Sequence, residues 1–70
     1  MFTLYHHSQQ DMRVFEVAAS SVDELISLLY LARPYLTECS VSRVRMWASR
    51  PNGSLTYYSK KYDFLIVRDF

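Results

Sequence analysis

The chain has 70 residues, half of them apolar, and a formal net charge of +1. That is one domain, too apolar to be disordered and too small to build both a core and a deep catalytic pocket. The charge is unevenly spread. Residues 1–42 hold two basic and five acidic side chains, net −3, and residues 43–70 hold six basic and two acidic, net +4. Such asymmetry fits a charged partner, or two halves that neutralise each other in space.

Residues 1–7 alternate Phe2 and Leu4 with Thr3 and Tyr5 and read as a strand. Residues 8–11, Ser-Gln-Gln-Asp, read as a turn. Residues 12–18 read as a second strand, apolar on both faces and so a candidate for a central position. Together they predict a hairpin.

Ser21-Val22-Asp23-Glu24 has the S-x-x-E form of a capping box. The predicted helix covers residues 22–33. Val22, Leu25, Ile26 and Leu29 form its apolar stripe, and Leu28 widens it. Pro34 ends it, because the residue before proline is pushed out of the helical region.

Residues 35–40 read as a connector. Residues 41–48 alternate, with Val44, Met46 and Ala48 on one side and Arg43, Arg45 and Trp47 on the other. Read at a period of two, this is a strand with one core face and one basic, aromatic face. Arg50-Pro51-Asn52-Gly53 holds the only glycine and predicts a hairpin turn with positive φ. Residues 54–59 and 62–68 read as strands joined by a turn at Lys60-Lys61. The last is apolar on both faces and so interior.

The predicted fold is α+β. An antiparallel sheet of about five strands, in the order β-β-α-β-β-β, carries one helix on one face. Its expected core is Leu25, Ile26, Leu29, Val44, Met46, Phe64 and Ile66.

Chemical motifs are sparse. His6-His7 could seed a metal site, but adjacent strand residues face opposite ways and no second cluster follows, so no metal or other cofactor is expected. Cys39 is the single cysteine. It reads as a half-buried structural thiol in a reducing, cytoplasmic setting, the rival being a nucleophile served by His6. There is no G-x-S-x-G elbow, and one glycine cannot build a phosphate loop. Residues 60–67 match an RNA-recognition strand only at Lys60, Tyr62 and Phe64. The opening run has no basic leader, and the longest apolar run, residues 25–32, is too short to span a bilayer. Catalysis is therefore not expected.

The set that points to function is Arg43, Arg45 and Trp47, with Tyr57, Lys60 and Lys61 on or near the neighbouring strand. Arginine forks suit carboxylates and phosphates, and Trp and Arg are enriched in binding hot spots. On a strand the two arginines would stand roughly 7 Å apart at Cα. The plainer alternative is a solvated face on which Trp47 covers a sheet edge.

The segments Phe15-Glu16-Val17, Ser21-Val22-Asp23-Glu24-Leu25 and Val41-Ser42-Arg43-Val44-Arg45 resemble the small phage inhibitors of bacterial RNA polymerase. In that family two arginines of a Val-x-Arg-Val-Arg strand contact an acidic polymerase surface, which implies the same role for Arg43 and Arg45. The chain departs from the family where the strand continues through Met46-Trp47. In order and length the chain also looks like the sheet-plus-helix anti-CRISPR proteins of type I systems, whose helix precedes a three-stranded meander. Both resemblances imply a small, non-catalytic inhibitor in the cytoplasm of a bacterial host. Its partner would be a host protein or ribonucleoprotein complex, or nucleic acid, with no membrane involved and the chain a monomer or homodimer.

Overall fold

A computed structural model describes residues 1–7, 13–50 and 52–68. The elements in chain order are β1 (Phe2–His7), β2 (Val14–Ala19), α1 (Val22–Ala32), α2 (Glu38–Ala48), β3 (Thr56–Ser59) and β4 (Phe64–Arg68). The fold is α+β, with a four-stranded antiparallel sheet and two helices among the described residues. The expected five strands and single helix are thus corrected: residues 41–48 belong to a helix.

The sheet order is β2-β1-β4-β3. β1 and β4 are the interior strands, as the doubly apolar 62–68 run predicts. β2 is an edge strand instead of a central one. Its Val14 and Phe15 are 60% and 44% exposed. The strands of the predicted N-terminal hairpin do pair, with Leu4 opposite Val17, while its turn at 8–11 lies outside the described residues.

Register and alternation separate the two faces of the sheet. Leu4 sits opposite Ile66, and Ile66 opposite Tyr57, so these residues share the face that the helices cover. Tyr5, Leu65, Tyr58 and Glu16 share the other face. The core lies between sheet and helices, where Leu4, Leu25, Leu29, Val44 and Ile66 are wholly buried. Six of the seven expected core residues are buried there. Met46 is the exception, at 57% exposed. Leu29→Ala is expected to lower stability by about 2–5 kcal/mol, because it leaves a cavity under the sheet. Urea unfolding followed by circular dichroism measures it.

α1 begins as its sequence dictates. Ser21 Oγ accepts from the Glu24 amide at 3.1 Å. The Glu24 carboxylate reaches one residue beyond the cap and accepts from the Ser20 hydroxyl at 2.7 Å and the Ser20 amide at 3.3 Å. Those bonds, the hydroxyl first, hold its carboxyl below the usual range. The helix ends at Ala32, and Arg33, before the proline, leaves the helical region with φ −137° and ψ 82°.

α2 starts from a second cap inside the predicted connector. Thr37 Oγ1 accepts from the Ser40 amide at 3.3 Å. Leu36 before the cap and Val41 at the fourth helical position are both buried, the placement of a hydrophobic staple. Val41, Val44 and Ala48 then recur at i, i+3 and i+7 toward the core.

Two arginines are buried. Arg33 lies at the end of α1, and its guanidinium donates to the carbonyls of Tyr62 (2.7 Å), Ala32 (2.9 Å), His7 (3.0 Å) and Asp63 (3.4 Å). Beside it, His7 Nδ1 and the Asp63 carboxylate pair at 3.1 Å. Asp63 has φ 55°, a left-handed value that aspartate tolerates. Arg68, at the end of β4, donates from Nη1 to the Trp47 carbonyl at 2.8 Å.

His6 stacks on Phe15 with centroids 5.4 Å apart. Burial, reinforced by the Arg33 charge, holds its imidazole below its ordinary pKa. The folded chain therefore favours neutral His6, and the unfolded chain takes up a proton first as pH falls. Stability is full above the unfolded value near 6.5 and declines as pH drops below it. Thermal melts at pH 7.5 and 5 are expected to show that decline, and His6→Phe is expected to reduce it.

Candidate anion-binding groove

The helical pitch regroups the residues that a strand would have aligned. Arg43, Met46, Trp47 and Arg50 are spaced i, i+3, i+4 and i+7, so they occupy one side of α2 and its immediate extension. With Gly53, Ser54 and Tyr57 they line a groove of about 320 Å³. Arg43, Trp47 and Tyr57 of the expected site are brought together here.

The remaining expected residues are not. Arg45 points to the other side of α2, where Nη1 meets the Asp23 carboxylate of α1 at 3.0 Å. Both groups are exposed, so that pair adds little stability. Lys60 and Lys61 lie in the turn beyond β3, and the Lys61 ammonium stands over the Tyr62 ring at 5.4 Å. Arg50 and Met46 are groove residues that the strand reading missed. Their signal was the helical spacing from Arg43, masked by the alternation in 44, 46 and 48.

The apolar wall is held by ring contacts and one hydrogen bond. Trp47 contacts Phe2 at 6.0 Å and Tyr57 at 5.6 Å between centroids, and Tyr57 stacks on Phe64 at 6.3 Å. The indole N–H donates to the Ser54 carbonyl at 2.8 Å. The Arg68 guanidinium lies over the indole at 4.9 Å. Trp47 is therefore half-buried structure as well as groove surface. Gly53 belongs to the same arrangement. A β-carbon on it would stand 2.8 Å from Arg68 Nη2, so its role is close approach, and the expected positive φ is not adopted.

Among the described residues Arg43 and Arg50 form no ion pair. Arg43 and Arg50 thus both border an apolar, aromatic wall, beside the exposed Met46. The arrangement can receive an anionic group with forked, charge-assisted hydrogen bonds while apolar atoms pack on Trp47 and Tyr57.

Cys39 is exposed in the first turn of α2 and not half-buried as expected. Among the described residues no three His, Cys, Asp or Glu side chains stand close enough to hold a metal ion, and no helix is long and apolar enough to cross a membrane. Comparison of the chain with family models, with curated proteins and with solved structures finds no match.

Proposed function

We propose that the chain is a small non-catalytic inhibitor that docks its α2–β3 groove onto an anionic surface of a bacterial nucleic-acid-processing complex. One observation carries the reading: Arg43 and Arg50 line one groove with Trp47, Met46 and Tyr57 and have no ion-pair partners among the described residues. A purely solvated face does not need an ordered aromatic wall between its arginines. Trp, Tyr and Arg together are the composition of an interface hot spot.

The resemblances name the complexes to assay first, a type I CRISPR surveillance complex and, as the alternative, RNA polymerase. Neither resemblance keeps its original footing, since residues 41–48 form a helix and α1 is followed by a second helix before the sheet resumes. The groove supplies the working surface instead. Added chain should block target-DNA binding by the surveillance complex, or transcription by the polymerase, and Arg43→Glu with Arg50→Glu should remove the block. If neither complex is inhibited by the folded wild-type chain, these targets are wrong. Direct nucleic-acid binding is the competing reading, and it would appear as a gel shift that weakens steeply with salt.

A further inference from the structure

We infer that the sheet face opposite the helices is a dimer interface, covered by the same face of a second copy of the chain. No described element covers this face. Its central row, read from the strand register, is Glu16 on β2, Tyr5 on β1, Leu65 on β4 and Tyr58 on β3. The neighbouring row is Ala18, Thr3, Val67 and Thr56. Glu16 is the only charged residue in either row. The depression beside the central row also holds His7 and Asp63, which pair with each other at 3.1 Å, so a strongly charged partner finds little unpaired charge here, whereas a copy of the same surface fits it.

The two rows are self-complementary under a two-fold axis. Let the axis lie in the interface, roughly along the strands and between β1 and β4. Each copy's β1 then faces the other's β4, and β2 faces β3. In the central row, Tyr5 of one copy sits over Leu65 of the other. Leu65 is shorter than the tyrosines flanking it, and a depression of about 280 Å³ opens beside it, lined by Tyr5, Tyr58, Leu65 and Val14 and, at its far end, by His7 and Asp63. The second copy's Tyr5 ring is the knob for that hole. At the edges the Glu16 carboxylate meets the Tyr58 hydroxyl, an acceptor against a donor. Aligned sheets cross at roughly 30°, which displaces edge-strand partners by only about 4 Å, within reach of these side chains. In the second row small and β-branched residues meet one another, which permits the usual separation of about 10 Å.

The area is adequate for a weak dimer. Four strands by about five residues make a face of roughly 19 by 17 Å. Side-chain relief brings this to the order of 500 Å² of accessible surface per copy, or about 1,000 Å² in total, the lower end for a specific interface. Tyr57 and Tyr58 point to opposite faces, so dimerisation leaves both α2–β3 grooves open.

Sedimentation equilibrium of the whole chain over about 1–500 µM tests the inference, a range that brackets the affinity such an area permits. The average mass is expected to rise from one chain toward two. Tyr58→Glu, which sets a carboxylate against Glu16 of the other copy, is expected to weaken association at least about tenfold. Adding Glu16→Lys should restore it to within about threefold of wild type, because the pair becomes oppositely charged. Tyr58 is 61% exposed, so its replacement leaves the core intact, and circular dichroism checks each variant. A one-chain mass at every concentration overturns the inference. So does a dimer indifferent to Tyr58→Glu, or a Tyr58→Glu defect that Glu16→Lys does not relieve.

Discussion

Replacing Arg33 with alanine is expected to lower folding stability by about 3–5 kcal/mol, enough to leave much of a chain this small unfolded. Arg33 is 4% exposed, yet among the described residues it forms no ion pair. Its guanidinium is satisfied by four main-chain carbonyls drawn from the end of α1, the end of β1 and the turn before β4. Each charge-assisted bond contributes on the order of 1.5–3 kcal/mol before the cost of burying the cation is set against it. Truncation removes the donors together and leaves buried carbonyls without them. Lysine does not repair the loss, since one ammonium cannot copy a planar fork. Arg33→Lys is accordingly expected to recover less than half of the deficit, and urea denaturation of the two variants beside wild type measures it. A loss under about 1 kcal/mol for Arg33→Ala would mean that the staple is not needed to hold the three elements.

The second large effect is on binding. Reversing both Arg43 and Arg50 to glutamate is expected to weaken capture of an anionic partner by at least about a hundredfold, since two charge-assisted contacts of about 1.5–3 kcal/mol each are lost and repulsion replaces them. Both side chains are exposed, so stability should change by less than about 1 kcal/mol. Trp47→Ala is a poorer test. Trp47 packs on Phe2 and Tyr57 and lies under Arg68, so its loss disturbs the fold and the groove together.

The fold is legible in the sequence where a local signal has one reading, and not where it has two, as the doubly apolar run of the edge strand β2 shows. Ser21 and Glu24 fix the start of α1, Pro34 fixes its end, and the doubly apolar 64–67 run fixes an interior strand. Residues 41–48 were misread because Val44 and Ala48 are four apart, a spacing shared by a strand face and a helix face. Two valines favoured the strand on propensity alone. The deciding evidence lay upstream, in Thr37 as a cap and the Leu36–Val41 staple, and in Val41, which helical spacing sends to the core. With the period corrected, Met46 moves from core to groove and Arg45 leaves the site for Asp23. Of the expected residues, Arg43, Trp47 and Tyr57 share one groove and Arg45, Lys60 and Lys61 lie outside it, for a physical reason. Composition names the residue types of an interface, but only the period says which of them share a face. The buried Arg33 and Arg68 have no sequence signal, because they donate to main-chain carbonyls far away in the sequence, Tyr62 in the turn before β4 and Trp47 in α2.

The central claim is that α2 gathers Arg43, Trp47 and Arg50 into one anion-binding groove and turns Arg45 away from it. Trp47 is the only tryptophan, so its fluorescence reports on the groove directly. The decisive measurement is a titration of that fluorescence with a glutamate-rich peptide and with single- and double-stranded oligonucleotides at low salt. The wild-type chain and Arg45→Glu should both give a saturable change, with affinities within about threefold of each other, while Arg43→Glu with Arg50→Glu gives none. A change abolished equally by Arg45→Glu, or no change with any anionic probe, would contradict the account.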